Sequence, residues 1–230
     1  MSHRLAASVV LGVILAAGAG RSTSVAAAAG LVDPADFTTT IDNPWFPLRP
    51  GTTFTYRGTK DGKPATRIFA VTKETKVIDG VTCVVVDDQL SLAGRPAERL
   101  QGYYAQDRDG DVWYFGEDAQ ELDAKGGVIK SEGWQAGSDG ALPSFFMEAA
   151  PAVGHAFAHD YTKDHFQVVS LSEAVTVPYG SFSAVLMTEE WNQLEDDAVA
   201  HKYYARGIGE VRDVAVRGDK EEFLLVGVAR

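Results

Sequence analysis

Short runs rich in Val, Thr, Tyr, Phe and Trp recur along the chain, each broken by Gly beside Asp, Asn or Lys, and this punctuation is that of β-hairpins. The turns fall at Lys60-Asp61-Gly62-Lys63, Asp79-Gly80, Ala93-Gly94-Arg95, Asp109-Gly110, Lys125-Gly126-Gly127 and Gly218-Asp219. Between them the pattern predicts strands over 52–58, 66–76, 81–92, 98–107 and 111–117, then over 166–171, 174–177, 182–191, 199–206, 210–216 and 221–228. No window beyond the first thirty residues holds a 3.6-residue period for more than a turn or two.

Sequential antiparallel strands in this number must close or fold over to bury one face. The expected fold is therefore all-β, a meandering antiparallel barrel or strongly curved half-barrel, with a two-sheet sandwich as the alternative. Phe182, Ala184 and Leu186 on one phase, against Val185 and Met187 on the other, predict a strand covered on both sides. Residues 131–159 are Gly- and Pro-punctuated and strand-poor, yet hold Trp134, Phe145, Phe146, Met147 and Phe157. They are expected to be a long covering loop, either a functional lid or a structural plug.

The N-terminus follows a different pattern. Residues 1–4 are basic, 5–17 apolar, and Ala26 to Ala29 offer small residues for signal cleavage, with no acid before Asp33. The apolar run is shorter than the roughly 20 residues of a bilayer span. Residues 1–29 are read as a secretory signal peptide and 30–230 as a single β-rich domain, secreted or periplasmic, with no membrane insertion after cleavage. An uncleaved N-terminal anchor is the alternative.

Charge and cysteine content narrow the partners. The chain carries 21 basic and 32 acidic side chains, a formal net charge of −11. Loss of Arg4 and Arg21 with the leader takes that to about −13, which repels phosphate backbones and argues against nucleic acid. The one cysteine, Cys83, lies in the apolar run 81–86 and reads as a buried small hydrophobe rather than half of a disulfide.

Four motifs carry a resemblance: Asn43-Pro-Trp-Phe-Pro-Leu-Arg-Pro-Gly51, Tyr103-Tyr-Ala-Gln-Asp107 with Val112-Trp-Tyr-Phe-Gly-Glu117, Trp134-Gln-Ala-Gly-Ser-Asp-Gly140, and Lys202-Tyr-Tyr-Ala-Arg-Gly-Ile-Gly209. Together they resemble a family of exported bacterial proteins of unassigned function, over most of the chain. The resemblance implies export and one domain, and brings no reaction with it. Lys163-Asp-His-Phe166 departs from a stretch richer in acids in that family.

Three constellations could carry chemistry. Asp107, Asp109 and Asp111 alternate around Gly110 like the start of a calcium loop, although the segment after them reads as a strand, and the plain alternative is a hairpin turn with solvated acids. His155, His159 and His165, with Asp160 and Asp164, could ligate zinc or copper, but only from a loop or helical turn. On a strand, residues four apart are separated by about 13 Å. The third is an aromatic and carboxylate population: Tyr104, Trp113, Trp134, Phe146, Trp191 and Tyr204, with Glu117, Glu190 and Lys202. These are the ligand-binding candidates for an enclosed small-molecule site, against the alternative of an ordinary aromatic core.

No cofactor is expected beyond a possible calcium ion, since phosphate-binding loops, nucleophile elbows and paired Cys motifs are absent from the sequence. The leading expectation is an exported protein binding a small molecule in a barrel-like cavity. One alternative is a hydrolase or isomerase using paired carboxylates among Asp107, Glu117, Glu190 and Glu195, with Lys202. The other is a non-catalytic structural or interaction protein of the cell envelope.

Overall fold

The computed structural model describes residues 32–230 except Asp160, 195–197 and Asp219; the leader expected over 1–29 and part of the 218–219 turn lie outside the described residues. Apart from one 3-10 turn at Pro34–Asp36, all regular structure is strand. The strands are β1 (Thr53–Lys60), β2 (Lys63–Ile78), β3 (Val81–Leu92), β4 (Arg95–Gln106), β5 (Val112–Leu122), β6 (Val128–Gln135), β7 (Ser144–Met147), β8 (Ala156–Ala158), β9 (Asp164–Val177), β10 (Gly180–Asn192), β11 (Val199–Ala205), β12 (Gly209–Arg217) and β13 (Glu221–Ala229). The described strands form one antiparallel sheet in the order β6-β5-β4-β3-β2-β1-β13-β12-β11-β10-β9-β8, with β7 pairing β5 beyond the main path.

The turns explain the meander. Asp61 and Gly62, Asp79 and Gly80, and Ala93 and Gly94 are consecutive pairs at positive φ. Two left-handed residues in a row are what the tightest hairpin connection needs, because their twist matches that of the flanking strands.

The sheet curls until its inner face meets itself, as one side chain shows. The Phe46 ring lies 6.1 Å from Phe69 on β2, 5.7 Å from Tyr104 on β4, 4.6 Å from Phe146 on β7 and 6.5 Å from Tyr204 on β11. The sheet nevertheless stays open, because β6 and β8 end it without pairing to each other. The curved half-barrel is thus the observed form, and the gap is bridged by side chains. His159 Nε2 donates to Phe145 O at 3.0 Å, and the rings of Trp134 and Tyr161 stack at 5.4 Å.

Two segments complete the burial. Residues 32–38 lie on the convex side, where Val32 and Phe37 cover Ile78, Val81, Cys83, Val85, Tyr103 and Phe115. The chain then bridges at Thr38 to Gln106 and brings Trp45, Phe46 and Leu48 into the concave core. Strand β3 is therefore buried on both faces, which is why 81–86 reads as a continuous apolar run. Burial pushes the Cys83 thiol up to about 12.

The expected covering loop at 131–159 departs from this picture in a specific way. It supplies three short strands at the sheet margins, β6, β7 and β8, and only part of it, chiefly Phe146 and Met147, fills the interior. The main plug is 41–48, anchored by Asn43. Its Nδ2 donates to Gly110 O at 2.9 Å and Met147 O at 3.2 Å, and its Oδ1 accepts from the amides of Trp45 and Phe46.

Candidate functional site

The concave face divides into an aromatic end and a charged belt. Alternation sets the belt: on β1, Phe54 and Tyr56 lead to Lys60; on β2, Ala65 and Phe69 flank Arg67; on β3, Val86 and Leu90 flank Asp88; on β13, Leu225 and Phe223 lead to Glu221. On β12 a bulge at Val211, between Arg212 opposite Tyr203 and Glu210 opposite Tyr204, shifts the register and turns both Glu210 and Asp213 inward.

These charges pair across the interior. Arg67 Nη2 lies 2.6 Å from Asp88 Oδ2, and Nη1 lies 3.1 Å from Glu210 Oε1. Lys202 Nζ lies 2.8 Å from Glu190 Oε2, and Thr188 Oγ1 donates to Glu190 Oε1 at 2.9 Å. Lys60 Nζ lies 2.9 Å from Glu221 and 3.9 Å from Glu98. Burial works to lower the Lys202 ammonium, but Glu190, Asp213 and Glu210 hold it above its ordinary range. Burial likewise raises Glu190 and Glu210, and pushes Asp213 up to about 6. Asp213 Oδ2 is buried without a hydrogen-bond partner.

A second buried group stands near the gap between the sheet's ends. The bulge at Gly116 (φ 137°), where a Cβ would meet Trp134 O at 2.2 Å, lets Tyr114 and Glu117 face the same side three residues apart. The Tyr114 hydroxyl donates to Glu117, whose carboxyl burial pushes up to about 8. His159 stacks on Tyr114 at 5.8 Å, and burial lowers its imidazole below the ordinary value.

The residues singled out from the sequence distribute as follows. Tyr104, Trp134, Phe146 and Tyr204 share the buried concave core, with Tyr104 and Phe146 5.2 Å apart. Glu190, Lys202 and Tyr204 meet in the belt, the Tyr204 hydroxyl reaching Glu190 at 3.5 Å. Trp113 sits on the convex side, its ring 4.0 Å from Phe145 and 5.9 Å from Phe37. Trp191 stacks on His165 at 5.3 Å, on the strand phase opposite to Glu190. Glu195 and Asp160 lie outside the described residues.

In the acidic turn both oxygens of Asp107 and one of Asp111 are engaged. Asp107 Oδ1 accepts from the amides of Asp109 and Asp111, Asp107 Oδ2 accepts from the Trp113 indole at 2.7 Å, and Asp111 Oδ1 accepts from Ala149 N. The histidines are divided among separate partners: His155 with Glu148, His159 with Phe145 O and His165 with Trp191. Among the described residues no group of three or more His, Cys, Asp or Glu side chains is disposed to hold a metal ion.

A large open space lies elsewhere, in a groove of about 960 Å³ along β3, β4, β5 and β6. Its lining includes Asp87, Asp88, Asp118, Glu132 and Asp139 against the single cation Arg99, and the stacked pair Trp134 and Tyr161. Arg67 neutralises Asp88, and Lys76 Nζ lies 3.1 Å from Asp118. Lys130 pairs with Glu132 Oε1, while Glu132 Oε2 is buried with no hydrogen-bond partner. Of the earlier candidates only Trp134 lines this groove. The remainder went unmarked because its carboxylates come from four separate places in the chain, the pair Asp87 and Asp88 on β3, Asp118 on β5, Glu132 on β6 and Asp139 in the turn after it.

No known family profile and no curated protein matches the chain. Two solved structures are similar to it. One is a protein described as exported, with a YmcC-like fold, from Bacteroides fragilis, at 14% identity and a TM-score of 0.48 over 81% of this chain and 99% of that one. The other is described as a lipoprotein from Parabacteroides distasonis, at 12% identity and a TM-score of 0.48 over 82% of this chain and 100% of that one. Among the described residues no helix is long and apolar enough to cross a membrane.

Proposed function

We propose that this chain is an exported binding protein whose ligand is positively charged and sits in the groove along β3 to β6. Export follows from the basic, apolar and small-residue order of residues 1–29. The observation that carries the binding reading is the groove's lining: open volume, Asp87 and Asp139 without an ion pair among the described residues beside carboxylates that already share Arg67, Lys76 and Lys130, and the aromatic pair Trp134 and Tyr161. Carboxylates attract a cation over several ångströms, and an aromatic face adds cation-π attraction once it arrives. The aromatic concave core does not offer a comparable space, because Phe46 and Phe146 occupy it.

Calorimetric titration of the mature protein with spermidine, a flexible polycation, tests the reading. Saturable binding that weakens with added salt and weakens again in Glu132→Gln is the expected result. Absence of heat at low salt, or affinity unchanged by the substitution, would sink it.

A further inference from the structure

We infer that the ligand of this groove is an extended, basic stretch of polypeptide that adds as a strand to the free edge of β6. The inference rests on the cation-binding reading above and names the class of cation. Strand β6 ends the sheet on its side, and no described strand pairs with its outer edge. Such an edge presents unpaired N–H and C=O groups at alternate residues.

Which residues those are follows from the register. Ala136 N donates to Phe115 O at 2.9 Å, and hydrogen-bonded positions alternate along an antiparallel pair. Trp134 and Glu132 therefore bond to β5, across from Glu117 and Ala119, while Ser131 and Gly133 turn their backbone groups to the free edge; the Gln135 carbonyl accepts from Ser138 N at 3.1 Å. The same contiguous run, 131–135, lines the groove. A chain paired to it lies at the β6 margin of the groove, about four strand spacings from β3.

Side-chain chemistry selects the sequence of that chain. Alternate residues of an added strand point to one face. On a basic strand they would meet Glu132, which has Lys130 as its one cation among the described residues, and Asp139 just past the end of β6, on a chain whose net charge is −11. Val128 and Ile129, 49% and 67% exposed at the start of β6, offer an apolar ledge to the intervening side chains. A second copy of this protein is the wrong occupant on charge, since each carries −11. Recognition of this kind draws affinity from main-chain hydrogen bonds and specificity from side-chain pockets.

Fluorescence anisotropy with a labelled, alternating Lys-Thr octapeptide on the intact protein is the test, beside the same peptide N-methylated on alternate backbone amides. N-methylation keeps every charge and removes strand pairing. The octapeptide should bind, and the methylated form should bind about fivefold or more weakly, the worth of one to two net hydrogen bonds. Ser131→Pro, which deletes an outward N–H at an edge where proline is tolerated, should weaken the octapeptide similarly and the methylated form little.

Equal affinity for the two peptides would overturn the inference and leave the cation site standing, and this comparison needs no variant to fold. Failure of both the octapeptide and spermidine to bind would remove the groove reading itself. Sedimentation showing a dimer that Ser131→Pro dissociates would assign the edge to a second copy and overturn the inference as well.

Discussion

The protein holds two concentrations of carboxylate that have opposite relations to their surroundings. In the concave belt, Asp88, Glu190, Glu210 and Glu221 are drawn against Arg67, Lys202 and Lys60 inside the fold. In the groove beside β6, Asp87 and Asp139 line open space without an ion pair among the described residues. Buried charge survives only when paired and hydrogen-bonded, so the belt's pairs are needed merely to make the fold tolerable. Exposed carboxylates meet no such requirement and contribute little to stability. Acid-rich composition by itself thus has two meanings in one chain, and partnership separates them.

The comparison breaks most visibly at its buried end. Arg67→Met leaves Asp88 and Glu210 without their cation and should cost about 3 to 5 kcal/mol in urea unfolding. Replacing Arg67, Asp88 and Glu210 together by apolar residues of similar volume should recover most of that loss. A single-variant cost below about 1 kcal/mol would show that the belt is not held by pairing. Next in size, Asn43→Ala should cost roughly 3 kcal/mol by chemical denaturation, since two buried amides and two carbonyls lose their partner at the plug.

Glu117 supplies a pH test with a definite sign. Its folded value, about 8, lies above the ordinary 4.5, so the native state keeps a proton that the unfolded chain gives up between those values. On that account stability is full below about pH 4.5 and is lost as pH rises through about 8. Thermal melts of Glu117→Gln, which is neutral throughout, should show a shallower decline between pH 5 and pH 9 than the parent; an identical slope would remove Glu117 as the cause. The smallest effect belongs to the groove. Asp139→Asn and Glu132→Gln should change unfolding free energy by no more than about 0.5 kcal/mol while lowering spermidine affinity severalfold. Strong destabilisation instead would make these carboxylates part of the fold.

Much of the β architecture was readable in advance, because period-two alternation and left-handed turn pairs act over a few residues. Lys60, Arg67, Asp88 and Glu221 were readable in the same way, each standing on the inward phase of its strand, yet a charged residue in an apolar phase is easily taken for a break in the pattern. Glu210 and Asp213 were not, because the bulge at Val211 changes phase by one residue between them. The adjacent pair Val185 and Leu186 is buried on both sides for the same reason: register shifts surround it, with Ala184 at φ 52°.

What the sequence determined alone was local and periodic: strands, their turns, the apolar leader and the predominance of acid. The tertiary structure decided which strand would be an edge, which segment would plug the concavity and which acids would find a cation. Those outcomes depend on side chains far apart in the chain, such as Arg67 and Glu210, or Phe46 and Tyr204, meeting as the sheet curls. Alternation assigns a face to each side chain; only the curvature and register of the whole sheet assign it a partner.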